Sequence, residues 1–190
     1  MNPFLKFLKI SLFVFIFFAG CKKGEDDPLI SLRSRKARFI GDWALQRGFI
    51  STNNNNTIIT TIYTSSTFKT TSTLNPDLIS EGTYKRTLST NKEGTFIEEI
   101  QKDEQYLKNQ GIWIFLPKSK ADDLKSKESV LFKVQSQFNS NGNILNQFEG
   151  EERPMNSVRL KKLSKDEMVW TINGKFDNEV TEGEFTWILR

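Results

Sequence analysis

The chain has 190 residues, with 27 Lys and Arg against 23 Asp and Glu, one Cys and no His. Without histidine, and with a single thiol, one chain cannot assemble the usual zinc, haem or copper ligand sets. Ser-His-Asp and Cys-His catalysis are excluded for the same reason, while carboxylate chemistry, a Ser-Lys pair and oxygen-ligated calcium stay open.

The N-terminus reads as an address. Lys6 and Lys9 precede an apolar run from Ile10 to Phe18, interrupted only by Ser11, and the small residues Ala19 and Gly20 lead to Cys21. A basic start, a short apolar stretch and small residues at a cut site make a secretory signal peptide. The run is shorter than the roughly 20 apolar residues of a spanning helix. Residues 1–20 are therefore expected to be a secretory signal peptide, 21–28 Cys21 with a charged tether, and 29–190 one domain. The run Lys22-Lys23-Gly24-Glu25-Asp26-Asp27 has no apolar residue and is expected to be solvated. With Lys6 and Lys9 removed, the charge is close to neutral, and no arginine-rich block or stacking motif points to nucleic acid.

Phe18-Ala19-Gly20-Cys21 resembles the lipobox of bacterial lipoproteins, with Phe18 where Leu is more usual. The resemblance implies acylation of Cys21 and attachment to the outer membrane without a transmembrane helix; each buried methylene contributes about 0.8 kcal/mol to such attachment. The lysine-plus-acid run after Cys21 is similar to export signals of Bacteroidetes lipoproteins, which implies display on the cell surface; a plain linker is the alternative.

A short helix is expected over 29–37, where Leu29, Leu32 and Arg33 share a face and Ser31 stands at the start. Strands are expected at 39–50, 57–64, 66–73, 80–89, 94–102, 110–117, 128–137, 156–163, 167–173 and 181–189. Turn signals separate them at 53–56, 75–77, 91–94, 139–143 and Asn173-Gly174. Short connections make the strands antiparallel neighbours. Met168, Trp170 and Ile172 share one face, as do Phe185, Trp187 and Leu189; Val158 and Leu160 share another before Leu163 breaks the rhythm. One antiparallel sheet with one apolar face must close or fold over. The fold class is all-β, an up-and-down barrel of about 8–10 strands with a short N-terminal helix.

Gly41-Asp42-Trp43 opens the first strand, "NQGIWIF" stands near the middle, and "VRLKKLSKDEMVW" and "GEFTWILR" close the chain. Together they resemble the bacterial lipocalin-like domain lipoproteins over roughly residues 36–190. The resemblance implies a calycin-type barrel that binds a small hydrophobic molecule in the cell envelope. Gly41 would then allow close approach at the closed barrel end, Trp43 would pack across it, and Arg190 would match by position the arginine that covers it.

Candidate chemistry is sparse. Of the paired acids, Asp122-Asp123, Glu98-Glu99, Glu151-Glu152 and Asp166-Glu167, adjacent strand residues point to opposite faces and make no dyad; all are expected in solvated turns and edges. Ser119-Lys120, Ser126-Lys127 and Ser164-Lys165 read as loop. The Thr- and Ser-rich stretch 51–73 reads as an outward or edge strand pair. Six of 16 Phe lie in the signal; of the remaining aromatics, Trp113, Phe115, Phe132, Trp170, Phe185 and Trp187 are expected to fill the barrel or line its cavity. A small barrel packs solid or holds one ligand, and the balance favours a filled interior. The expectation is a non-enzymatic lipoprotein with no cofactor or metal, partnered by the membrane and a small apolar ligand. The alternative is a packed barrel serving a protein partner in an envelope complex.

Overall fold

The computed structural model describes residue 27 and residues 33–54, 57–74, 80–117, 128–148, 155–176 and 179–190. The signal segment, Cys21, the proposed cap Ser31, the stretch 118–127 and the pairs Asp122-Asp123 and Glu151-Glu152 lie outside them.

A five-residue helix, α1 (Arg35–Phe39), starts at Ser34, whose side chain accepts from the Ala37 N–H. Of the 29–37 helix expected, residues 29–32 lie outside the described residues, and residues 33–34 precede the helix. Strands follow as β1 (Gly41–Asn54), β2 (Thr57–Thr64), β3 (Thr67–Ser72), β4 (Ser80–Thr90), β5 (Thr95–Lys102), β6 (Gln105–Phe115), β7 (Ser129–Phe138), β8 (Ile144–Gln147), β9 (Met155–Leu163), β10 (Glu167–Phe176) and β11 (Glu179–Leu189). They form one antiparallel sheet in the order β6-β5-β4-β3-β2-β1-β11-β10-β9-β7-β8, and pairing of β6 with β7 closes it. Ten strands make the barrel wall, with β8 folded onto the end of β7. The expected all-β antiparallel barrel is the fold observed.

The barrel is narrower at one end. Gly41 to Ala44 pair directly with Thr87 to Thr90 of β4. Further along, the β2–β3 hairpin inserts between β1 and β4. Eight strands therefore surround the end holding Trp43, and ten surround the other. An eight-stranded interior is just filled by side chains, and the diameter grows with strand number, so the wide half has room that the narrow half lacks. The Thr-rich stretch that reads as an edge pair thus widens the wall: Thr61 and Thr70 hydroxyls meet at 2.9 Å across the hairpin, and Phe68 is buried.

The narrow end is packed solid and capped by α1. Phe39 is fully buried, with ring centroids 4.8 Å from Trp113 and 5.7 Å from Phe115. Its carbonyl accepts from Trp43 Nε1 at 3.0 Å and Thr90 Oγ1 at 2.6 Å. Trp43 is fully buried across this end, and a Cβ on Gly41 would come within 2.5 Å of Leu189 Cδ1. Gly41 and Trp43 thus stand at the narrow end of the barrel. Arg190 does not cover that end: it is exposed, beside Lys85, Thr87, Glu99, Gln101 and Tyr106 on the outer surface.

Asp27 overturns the solvated tether at its last position but one. Its carboxylate is fully buried, 3.2 Å from Arg35 Nη1 and 3.6 Å from Arg38 Nη2. It also accepts from the Leu163 N–H at 2.7 Å. Arg35 donates to the Leu160 carbonyl at 2.9 Å, and Arg38 donates to that of Leu163. Burial pulls the Arg35 guanidinium below the ordinary arginine value, with Asp27 opposing. A buried carboxylate with these partners belongs to the domain, because an isolated one would stay in water.

Two further corrections concern ladder detail. Asn173-Gly174 is not a turn; both continue β10, opposite Glu182 and Thr181 of β11. β6 starts at Gln105 rather than 110, because Asp103-Glu104 makes the hairpin, with Asp103 at φ 51° and its Oδ1 accepting from the Thr83 N–H at 2.8 Å. The broken rhythm at Leu163 is a bulge: Leu163 pairs with Met168 and Lys162 with Val169, but Leu160 pairs with Trp170. The extra residue, Lys161, returns Leu163 to the interior.

Candidate functional site

The wide half encloses a cavity of about 450 Å³, within the range of small-molecule sites. The expectation of a filled interior therefore does not hold. Leu88, Phe96, Phe132, Val134, Val158, Trp170 and Ile50 supply apolar wall, and Arg86 and Glu98 supply charge.

Of the aromatics expected at a cavity, Phe132 and Trp170 line it. Trp113 and Phe115 pack instead in the narrow end beneath Phe39. Phe185 and Trp187 are fully buried under the Arg86 guanidinium, whose carbon lies 5.5 and 5.4 Å from their ring centroids. They form a floor with Trp170, whose ring is 4.7 Å from that of Trp187. Such aromatic and cation–π contacts each contribute about 0.5–1.5 kcal/mol beyond area burial.

The ion pair is the feature that sequence reading missed. Arg86 Nε and Nη2 donate to one oxygen of Glu98, at 2.9 and 2.6 Å. The other Glu98 oxygen accepts from Asn109 Nδ2 at 2.9 Å. Asn109 Oδ1 accepts from Gln137 Nε2, and Gln137 Oε1 from Asn146 Nδ2, each at 2.9 Å. A chain of amides thus runs from the rim of β8 to the carboxylate. Glu98 points inward and Glu99 outward, where it meets Tyr106, as strand alternation requires. The assignment of all acid pairs to solvated edges fails at Glu98, whose side chain is only 12% exposed. Tyr84, Arg86 and Leu88 share a face, as do Phe96, Glu98 and Ile100; a charge inside each inward-facing apolar rhythm was the available signal.

Burial works against the charge on Arg86, but Glu98 and the phenols of Tyr84 and Tyr63 outweigh it and raise its pKa. Burial likewise raises Tyr84 and Tyr63 above the ordinary tyrosine value, with Arg86 opposing.

The wall has a seam beside the cavity. β9 and β10 pair from Leu163 and Met168 as far as Arg159 and Thr171. Beyond those residues β9 pairs only with β7, and β10 only with β11. Asn156, Ser157 and Val158 on one side, and Ile172, Asn173 and Gly174 on the other, line the cavity along this seam. Asn156, Ser157, Asn173 and Gly174 are exposed.

Ser164 Oγ is occupied in the β9–β10 turn, accepting from the Glu167 N–H and donating to its carbonyl, each at 3.0 Å. It is not set against Lys165 as a nucleophile. Comparison of the chain with protein-family models gives no match, and neither does comparison with curated proteins.

Proposed function

We infer that this protein is a lipid-anchored envelope protein whose barrel binds one small, mainly hydrophobic molecule, in the manner of lipocalin-like lipoproteins. The observation that supports this most is the cavity of about 450 Å³, apolar on most sides, in the wide half of the barrel. The seam between β9 and β10 supports it further, as the route from solvent to the cavity.

The anchor follows from the N-terminal pattern. An acyl group on Cys21 lies six residues before Asp27, a span of at most about 22 Å when fully extended. Asp27 is clamped at the narrow end. The barrel would therefore stand with its closed end toward its own membrane and its wide end outward. A packed module for a protein partner is less well supported, since the interior is not filled. The outward pair Phe49 and Ile62 is a small apolar patch on the wide half.

Native mass spectrometry of the chain from residue 21, carrying Cys21→Ser, tests the binding reading. A stoichiometric adduct that extracts into organic solvent supports it and identifies the chemical class. A clean apo mass, with no change in tryptophan emission on adding lipophilic probes, rejects it.

A further inference from the structure

Resting on the cavity-binding reading, we propose that the ligand is an uncharged amphiphile whose head oxygen accepts hydrogen bonds from Arg86, and that the cavity discriminates against both carboxylate and ammonium heads. Charge balance and donor count at the Arg86–Glu98 pair, the charged station of the cavity, both favour such a head.

Arg86 and Glu98 both line the cavity and form an ion pair that sums to zero charge. Their side chains are 18% and 12% exposed. A carboxylate placed against Arg86 would make two negative charges share one guanidinium. An ammonium against Glu98 would do the converse. Either leaves one net charge in a largely apolar enclosure, which is costly. An uncharged ester, ketone or alcohol oxygen adds none.

The hydrogen-bond inventory points the same way. A guanidinium carries five N–H donors. Glu98 takes one from Nε and one from Nη2, and the rest are left for Tyr84 and the cavity. On the acceptor side, Asn109 donates to the second Glu98 oxygen, leaving one of the carboxylate's roughly four acceptor sites, and the amides of Gln137 and Asn146 are oriented in series behind it. The indole N–H groups of Trp170 and Trp187 are also buried without an acceptor among the described residues. At the pair, Arg86 keeps at least two N–H groups against one open acceptor site on Glu98, so the complementary head is an acceptor. The tail lies along Leu88, Phe96, Phe132 and Val134.

The test uses four probes with one chain length: 12-bromododecanoic acid, its methyl ester, 12-bromododecan-1-ol and 12-bromododecylammonium. Bromine quenches nearby tryptophan, and Trp170 is in the wall, so each probe reports its own binding. The protein is the chain from residue 21 with Cys21→Ser, which retains every described residue. At pH 7.5 the ester and alcohol are expected to bind at least tenfold more tightly than the acid and the ammonium. Glu98→Gln is expected to raise acid affinity at least tenfold, by releasing Arg86 from its own counter-charge. The wild-type ranking decides the matter even if that variant fails to fold. Acid binding as tightly as the ester overturns the proposal while leaving the cavity reading intact. Quenching by none of the four overturns both.

Discussion

Arg86 and Glu98 reach toward each other from neighbouring strands inside the barrel, with Nε and Nη2 of the arginine 2.9 and 2.6 Å from the same carboxylate oxygen. Neither charge could stay there alone, because removing one partner of a shielded pair strands the other. Glu98→Ala is therefore expected to cost about 3–4 kcal/mol, the lower part of the buried-pair range, because both side chains keep some exposure. The double variant Arg86→Met with Glu98→Leu should recover most of that loss. Urea unfolding of Arg86→Met, Glu98→Leu and the double variant reads the coupling directly; additive losses would mean that the pair contributes nothing as a pair.

Asp27 is expected to behave as part of the core. Asp27→Ala leaves Arg35 and Arg38 as buried cations without their carboxylate, and the expected loss is about 3–5 kcal/mol. For a domain of this size that lowers Tm by roughly 10 °C. A chain starting at residue 29 should show the same shift relative to one starting at residue 26, measured by differential scanning calorimetry. Equal Tm values would place Asp27 outside the folding unit.

Two glycines separate wall integrity from ligand access. A Cβ on Gly111 would come within 2.0 Å of the Lys133 carbonyl oxygen, which is backbone of the paired strand and cannot step aside. Gly111→Ala should cost about 2–3 kcal/mol by breaking the β6–β7 ladder. Nothing lies within 4 Å of a Cβ on Gly174, which stands on the seam. Gly174→Phe should change stability by less than about 1 kcal/mol while slowing probe association at least fivefold, as measured by stopped-flow tryptophan quenching. Unchanged association would move the route away from the seam.

Alkali should find the phenols. Tyr63 and Tyr84 have pKa values raised above 10.0, burial being the main cause. Above about pH 10 the unfolded chain has lost protons that the folded chain keeps, so unfolding releases protons and stability falls as pH rises. Below that pH the two tyrosines contribute no pH dependence. Tyr84→Phe, and more so the Tyr63→Phe/Tyr84→Phe pair, should flatten the decline in urea midpoint between pH 9 and pH 11. An unchanged slope would mean that both phenols ionise freely in the fold.

The sequence by itself determined the architecture. Period-two rhythms such as Met168-Trp170-Ile172 and Phe185-Trp187-Leu189 require one buried sheet face, and short connections require antiparallel neighbours; a sheet so built must close. Gly41 and Trp43 were singled out only through the resemblance to lipocalin-like domains, since a lone Gly-x-Trp spacing carries little by itself. The tertiary structure alone decided the rest. The β2–β3 hairpin widens one end only because β1 and β4 pair directly at the other, a contact spanning some 46 residues. Whether the interior was solid or hollow depended on that wedge. Asn173-Gly174, a turn by local chemistry, became strand because its ladder with β11 outweighed local preference. Asp27 lies in a charged run that reads as solvated, and Glu98 in an acid pair that reads as edge; each is buried because the fold sets it against a cation, Asp27 against Arg35 and Arg38, Glu98 against Arg86. Local patterning sets which face a residue presents; long-range pairing sets what that face meets, and a buried charge is settled only by its partner.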